Sequence, residues 1–301
     1  MRQLTKNACP ACLSENTRDV GKKNDFLLEC CGICGTTFAK VDFDEDDVSE
    51  EVKQLYENYY ESANFTLQAA SELSIQNTIQ SFEKFRDTGN LLDVGYGEGG
   101  FLGIAAKNNW NCYGTELSPQ ALKYGNQQGW TVSKDALSDD LFPKNGFDVI
   151  TMIELIEHVP NPDDFFQTAY SLLRPGGLLY ITTPNIKSIN SRWLGINWSS
   201  VAPPEHVTIW SPTGMKMALK RNNFFPKKVA AQGFNPFEIL AHVRSKKGNT
   251  PEKVNRNETG FALNESFTKS PFRRAVKSVI NKGLVTFQLG DNFRVWAIKR
   301  A

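Results

Sequence analysis

The sequence predicts an α/β fold built on a largely parallel sheet, with a small metal-clasped domain ahead of it. Three observations carry that prediction. An apolar run, Leu91-Leu92-Asp93-Val94, ends in an acid and runs into the glycine-rich turn Gly95-Tyr96-Gly97-Glu98-Gly99-Gly100. Beyond it, short apolar runs alternate with helical segments as far as the last strand. Two C-x-x-C knuckles stand near the N-terminus, Cys9-Pro10-Ala11-Cys12 and Cys31-Gly32-Ile33-Cys34, with 18 residues between them.

The composition bounds the rest. Hydrophobic residues make up 40% of the 301 and charged residues 22%, which favours a packed core over disorder. A net charge of +1 by itself implies neither nucleic acid nor membrane as partner. No apolar run approaches the roughly 18 residues of a membrane span. The first seven residues lack the apolar stretch of a signal peptide, so a cytoplasmic location is expected.

The knuckles match the spacing of a four-thiolate zinc site, C-x₂-C-x₁₅₋₂₀-C-x₂-C. Cys9, Cys12, Cys31 and Cys34 are the expected ligands of a structural Zn²⁺ held by a ribbon of short strands. Cys30 adjoins Cys31 and is the alternative at that position, but Cys31 gives the proper knuckle. A disulfide pair or a redox dithiol is the rival reading, and a reducing cytosol disfavours it.

An acidic run follows from Asp42 to Glu51 and reads as a solvated linker. Tyr56, Tyr59 and Tyr60 then share one helical face within Val52–Glu61, either packed on the main domain or placed as a lid. A second amphipathic helix is expected from about Leu67 to Phe85, with Leu73, Ile75, Ile79, Phe82 and Phe85 turned inward.

The glycine turn reads as strand, tight turn and helix N-terminus. Glycines permit positive φ and close approach of a ligand, and the helix beyond offers free N–H groups. Gly95, Gly97 and Gly100 also fit the dinucleotide pattern, but Asp93 argues against it. A carboxylate there repels a pyrophosphate and suits a ligand with positive charge, hydroxyls and an ammonium group. S-adenosylmethionine has all three and no phosphate. Trp110 to Glu116 is the second strand, and Glu116 lies 21 positions beyond Gly95, where a ribose-binding carboxylate belongs. Ser118 and Pro119 open the next helix. Trp130–Ser133, Phe147–Ile153 and Leu178–Thr182 are strands three to five, and a helix from Phe165 to Leu173 ends in Arg174-Pro175-Gly176-Gly177.

Leu92-Asp93-Val94-Gly95 with its following glycines resembles the first motif of the class I S-adenosylmethionine-dependent methyltransferases. Glu157-His158-Val159-Pro160 and the Arg174–Gly177 element resemble the later motifs of small-molecule members of that family. The resemblance implies a Rossmann-like seven-stranded sheet with its last strand antiparallel. It also implies that Asp93 with Gly95, Tyr96, Gly97 and Gly99 orients the methionine part of the cofactor. Glu116 with Leu117 would take the ribose side, and Asp135 with Ala136 the adenine. Glu154 completes the cofactor set. Glu154, Glu157 and His158, spaced as on one helical turn, resemble the Glu-x-x-Glu-His run of ubiquinone-pathway O-methyltransferases, which has been linked to a metal. The alternatives are a second divalent ion or a loop-shaping role without metal.

After strand five, an insertion at about 184–210 gathers Trp193, Trp198, Pro203, Pro204, Glu205 and His206, with Trp210 at its end. Aromatic residues there suit the wall of a substrate pocket. Pro203-Pro204-Glu205-His206-Val207 resembles an element of sugar and polyketide methyltransferases, and His206 is a candidate base beside His158 and Glu157. Lys227–Gln232 and Phe293–Lys299 are the sixth and seventh strands, flanking an insertion at about 236–290. From residue 240 onward there are 13 Lys and Arg against 4 acids, with a basic helix expected over about Pro271–Lys282; the readings are a solvated helix face, a contact for RNA or a membrane, or a contact for the phosphate groups of a nucleotide-sugar or carrier lipid.

The expected organisation is therefore a zinc ribbon over residues 1–40, a linker and helical lid over 41–85, and a methyltransferase domain over 86–301. The expected function is methyl transfer to a small molecule or glycan precursor, most simply to oxygen. A ribbon joined to this core resembles bacterial methyltransferases of sugar and polysaccharide biosynthesis. The rivals are an RNA methyltransferase, against which the strand-four end Glu154-Leu155-Ile156-Glu157 lacks a base-handling motif, and a non-catalytic cofactor-binding scaffold.

Overall fold

A computed structural model describes residues 8–40, 69–246 and 282–300. The acidic linker, the tyrosine-bearing segment 52–61 and residues 271–281 of the expected basic helix lie outside the described residues. The chain divides into two compact units. One takes its described residues from Met1–Lys40, Thr183–Met215 and Val229–Arg294, the other from Val41–Thr182, Lys216–Lys228 and Val295–Ala301.

The ribbon comprises β1 (Thr17–Lys23), β2 (Phe26–Cys31) and β3 (Thr37–Lys40). β1 and β2 form an antiparallel hairpin. Its turn residues Asn24 and Asp25 take φ of 48° and 65°, the left-handed pair that matches the twist of the flanking strands. β2 returns on β3, pairing Cys30 with Thr37, so the second knuckle is the loop between these strands.

In chain order the following elements are α1 (Ala69–Gln80), β4 (Asn90–Val94), α2 (Gly100–Lys107), β5 (Asn111–Thr115), α3 (Pro119–Gln127), β6 (Thr131–Ser133), β7 (Phe147–Ile153), α4 (Pro162–Leu172) and β8 (Leu173–Pro184). Then come α5 (Ile189–Leu194), β9 (Thr208–Ile209), α6 (Pro212–Arg221), β10 (Phe224–Gln232), α7 (Pro236–Lys246) and β11 (Asn292–Lys299). The large sheet has seven strands in the order β10-β11-β8-β7-β4-β5-β6, is mixed, and carries the antiparallel strand that the resemblance implied. β4 is parallel to β5 and to β7. It is buried from Leu91 to Val94, as is β7 from Phe147 to Met152, which is why both read as apolar runs without alternation. β11 alternates buried and half-buried side chains, the pattern of a strand covered on one face. The chain leaves β4 toward β5 on one side, while β7 lies on the other. The carboxyl end of β4 is thus the switch point where open α/β sheets bind ligands.

Three expectations are corrected here. The helix from Leu67 ends early: α1 stops at Gln80, a 3₁₀ turn covers Glu83–Phe85, and Leu73 is 64% exposed although Ile79 and Phe82 are buried. Arg174–Gly177 is no simple helix-ending turn. It lies within β8, whose register against β7 shifts between Leu173 and Leu178. There Arg174 donates from Nε to Asp148 Oδ1 at 2.5 Å and from Nη2 to the Phe85 carbonyl at 2.5 Å. Asp148 Oδ2 accepts from the Asp87 and Gly89 amides at 2.8 and 2.7 Å. The motif's arginine is a pin that ties β8 and β7 to the entry of β4.

The third correction concerns the insertion after strand five. It folds into α5, a 3₁₀ turn over Gly195–Asn197 and β9. β9 pairs antiparallel with β3, Thr37 against Ile209 and Phe38 against Thr208, and completes a four-stranded sheet β1-β2-β3-β9. Trp198 and Trp210 are fully buried in this unit, so they are core residues and not pocket wall; Trp193 is 70% exposed.

Candidate functional site

Gly95, Gly97 and Gly99 all have left-handed φ, of 67°, 55° and 73°. Gly99, not Gly100, caps α2. The spacing that the turn needs is thus 95, 97 and 99, not the dinucleotide pattern. A Cβ on Gly99 would meet the Trp130 ring at 2.7 Å, so packing as well as backbone conformation reserves this position for glycine. Tyr96 is buried, its hydroxyl donates to the Ala121 carbonyl at 2.8 Å, and its ring lies against Gly114 and Gly125 and edge-on to Trp130. It is a wedge beneath the turn. Its bulk is absorbed by the two glycines, which leaves its main chain as the part available to a ligand at the turn.

Asp93 lies in β4 beside Thr151 of β7, with which it is in register. Asp93 is 2% exposed, and Thr151 Oγ1 donates to its Oδ1 at 2.6 Å. Burial pushes the Asp93 carboxyl up to about 7; the Thr151 hydroxyl holds it back, and the Glu116 charge adds to the rise. Glu116, at the end of β5, is also buried. Its Oε2 accepts from the Gly97 amide at 2.8 Å, and its Oε1 from the Leu117 and Ser118 amides at 2.7 and 3.1 Å. Three backbone donors fix this carboxylate in place and tie β5 to the glycine turn. Leu117 beside it is 47% exposed, an apolar surface at the strand end. Asp135 and Ala136 follow β6 and are exposed, with Ser133 Oγ donating to Asp135 Oδ2 at 3.1 Å.

Glu154 follows β7 with a φ of 49°, a left-handed conformation seldom adopted by a residue with a Cβ. Its amide donates to the Thr182 carbonyl at 2.9 Å, and Thr182 Oγ1 donates to its carboxylate at 2.9 Å. It stands ahead of the turn that His158 closes on Leu155 O at 3.0 Å. Glu154, Glu157 and His158 therefore do not share one helical face, which corrects that expectation. Glu157 is buried and His158 half-buried in the same unit. His206 belongs to the ribbon's unit, with its Nδ1 2.7 Å from the Ser200 carbonyl. A carbonyl only accepts, so Nδ1 carries a proton at this contact.

The sulfur atoms of Cys9, Cys12, Cys31 and Cys34 lie within 4.8 Å of one another, with Cys9–Cys34 at 3.6 Å and Cys12–Cys31 at 3.5 Å. Thiolates at 2.3 Å from a tetrahedral Zn²⁺ stand about 3.8 Å apart, so this donor set fits that ion. The hydrogen bond between Cys9 and Cys34 raises the first thiol and lowers the second to about 5. Cys30 is outside the cluster, its sulfur 3.8 Å from the Cys31 carbonyl oxygen.

A family model described as a methyltransferase domain matches residues 67–226, just over half of the chain. The chain belongs to this methyltransferase-domain family. Its fold is that of class I S-adenosylmethionine-dependent members. Ubiquinone biosynthesis O-methyltransferase of Idiomarina loihiensis is 30% identical over 131 residues, 41% of this chain and 51% of that protein. The mitochondrial counterpart of Rattus norvegicus is 37% identical over 103 residues, 32% of this chain and 30% of that one. The match thus spans about half of the first relative's length and less than a third of the second's. A solved S-adenosylmethionine-dependent methyltransferase of Archaeoglobus fulgidus superposes with a TM-score of 0.52 at 19% identity, covering 82% of this chain and 99% of that one.

The methyltransferase carries two buried acids, Asp93 and Glu116, beside the glycine turn, and residues 95–100 of that turn include no cationic side chain. Thr151, the hydrogen-bond partner of Asp93, is a residue that sequence reading missed. Its one signal is a hydroxyl two residues from the end of the mostly apolar run Phe147–Ile153. Thr151→Val is expected to weaken S-adenosylmethionine binding about tenfold at pH 7, the loss of one charge-assisted hydrogen bond. The pH above which binding is tight should move upward, because Asp93 loses the donor that holds its carboxyl down. Thr151→Ser should restore both; an unchanged pH profile of Kd in the valine variant would refute the role.

Proposed function

We propose that this methyltransferase transfers the methyl group of S-adenosylmethionine to a hydroxyl oxygen of a small organic acceptor, with glycan precursors within the acceptor range. The observation that carries the cofactor half is the pair of buried carboxylates, Asp93 and Glu116, at the ends of adjacent parallel strands across the glycine turn. The oxygen half is supported by the O-methyltransferases among the relatives.

Bound S-adenosylmethionine supplies a methyl already activated on a sulfonium. Asp93 would hold the ammonium group of its methionine part, backbone groups of Gly95, Tyr96, Gly97 and Gly99 the carboxylate end, Glu116 and Leu117 the ribose side, and Asp135 and Ala136 the adenine. The acceptor's oxygen forms the new C–O bond as the C–S bond breaks, and the hydroxyl proton leaves to a base. His206 and His158 are the proposed bases, with Glu157 beside His158. The protein's work is otherwise to position the two reactants in line. The cysteine cluster holds a structural Zn²⁺ in this reading. Six cysteines without disulfides suit a reducing, cytoplasmic setting, and no described helix is long and apolar enough to cross a membrane.

Calorimetric titration of the purified protein with S-adenosylmethionine, with Asp93→Ala as control, tests the cofactor. Micromolar binding lost in the variant is expected, and no binding by folded, zinc-loaded protein sinks the reading. Mass spectrometry of phenolic and sugar-nucleotide acceptors after incubation with the cofactor tests the reaction, with a gain of one CH₂ on oxygen as the expected product.

A further inference from the structure

We propose that the four-cysteine centre is the clasp of the Ser200–His206 loop, so that metal occupancy decides whether the segment 198–214, with the candidate base His206, is folded. The proposal rests on reading the cluster as a zinc site. Three separate sets of bonds join the ribbon to this segment, all within one unit.

The first set is the sheet itself. β9 pairs with β3, and Ala39 N donates to the Val207 carbonyl at 2.8 Å, one residue after His206. The second set starts at a ligand. Ser211 Oγ donates to the carbonyl of Cys34 at 2.6 Å, Ser211 N donates to Thr36 Oγ1 at 3.3 Å, and the Ser211 and Thr36 hydroxyls stand 3.2 Å apart. Ser211 Oγ also accepts from Gly214 N at 2.8 Å, so the same hydroxyl sets the start of α6. The third set comes from the hairpin tip. Lys23 Nζ donates to the Trp198 carbonyl at 3.0 Å, and Asn24 Nδ2 to the Pro203 carbonyl at 2.8 Å. These two contacts bracket Ser200, whose own carbonyl is the partner of His206 Nδ1.

Neither party stands by itself. Between Gly195 and Ser211 the segment has one 3₁₀ turn and a two-residue strand, too little to be stable alone. The ribbon's strands are 7, 6 and 4 residues long, and a domain of that size needs a metal or another staple. Where no site exists in the unfolded chain, metal-binding free energy is folding free energy. Here that free energy reaches the loop through the carbonyl of Cys34 and the edge of β3. The ribbon is therefore not a detached adaptor: its β3 edge and hairpin tip are both engaged by its own chain.

The test is hydrogen exchange by mass spectrometry on the full chain, first with one zinc per chain by elemental analysis and then after chelation. We expect peptides across 26–40 and 198–214 to exchange at least tenfold faster together once zinc is removed. Peptides across 90–116 and 147–182 should keep their protection, and the Kd for S-adenosylmethionine should stay within twofold. Retained protection of 198–214 while the ribbon opens would overturn the proposal. So would loss of protection across 147–182, since the metal would then support the whole fold and not the loop. A chain that takes up no zinc overturns it as well. Ser211→Ala leaves every thiolate in place; it should keep its zinc and still expose 198–214, and unchanged exchange there refutes the clasp. Absence of cofactor binding with the clasp intact counts against the proposed reaction and leaves the clasp standing.

Discussion

Asp93→Asn is expected to weaken S-adenosylmethionine binding a hundredfold or more and, at pH 8, to raise the Tm of the cofactor-free protein. The two effects have one cause. Asp93 is buried with a carboxyl raised to about 7, against about 3.9 in an unfolded chain. A folded-state pKa above the unfolded one means that the native protein is favoured by proton uptake. That contribution is complete below about pH 3.9 and is lost as pH rises through 7. At pH 8 the buried carboxylate therefore costs on the order of 2–4 kcal/mol, which the positive charge of the cofactor would offset under the proposed role of Asp93. Asparagine never ionises and keeps an acceptor for the Thr151 hydroxyl. Its Tm gain should be roughly 5–10 °C at pH 8 and should vanish near pH 4. In the wild type, cofactor affinity should rise from pH 6 to pH 8 as Asp93 ionises. Thermal melts at the two pH values, with calorimetry at pH 8, check all three. A variant that binds normally, or that gains equally at both pH values, contradicts this account of the site.

Arg174→Ala is expected to cost about 3 kcal/mol at pH 7 while leaving the cofactor Kd of the folded protein unchanged. The Asp148 carboxylate is fully buried and the Arg174 side chain is 21% exposed. Burial by itself would raise Asp148, but the Asp87 and Gly89 amides and the guanidinium outweigh it and hold the carboxyl below its usual range. A depressed folded-state pKa stabilises above the unfolded value and is lost as pH falls. The gap between wild type and variant should therefore be full at pH 7 and narrow below about pH 4. Arg174→Lys should rescue only in part. An ammonium does not present the planar fork that serves Asp148, the Phe85 carbonyl and the Pro175 carbonyl together. Urea denaturation at both pH values measures the gap; a cost under about 1 kcal/mol at pH 7 would show that the pin is dispensable.

The corrections and the missed residues share a character. Tyr96 is expected from sequence only as one of the residues around the cofactor, yet in the fold it is a wedge. That becomes visible only when Gly114 and Gly125, from β5 and α3, are seen to make room for its ring. Thr151 gains meaning from its register with Asp93, and Arg174 from a carboxylate two strands' worth of chain away. The three tryptophans of the insertion are alike in sequence, and only packing separates Trp198 and Trp210 from Trp193.

The sequence by itself determined the strands of the parallel sheet, the left-handed glycine turn, the two acids at its edge and the four thiolates. Each is encoded within a few residues, by apolar runs, by the φ that only glycine takes readily, and by the spacing of a knuckle. Only the tertiary structure decided that Thr37 and Phe38 pair with Ile209 and Thr208, and so that the ribbon and the His206 loop share one sheet. A two-residue strand has no periodicity to read. Its partner is chosen by which edge remains open once both segments are folded, and no local pattern records that choice.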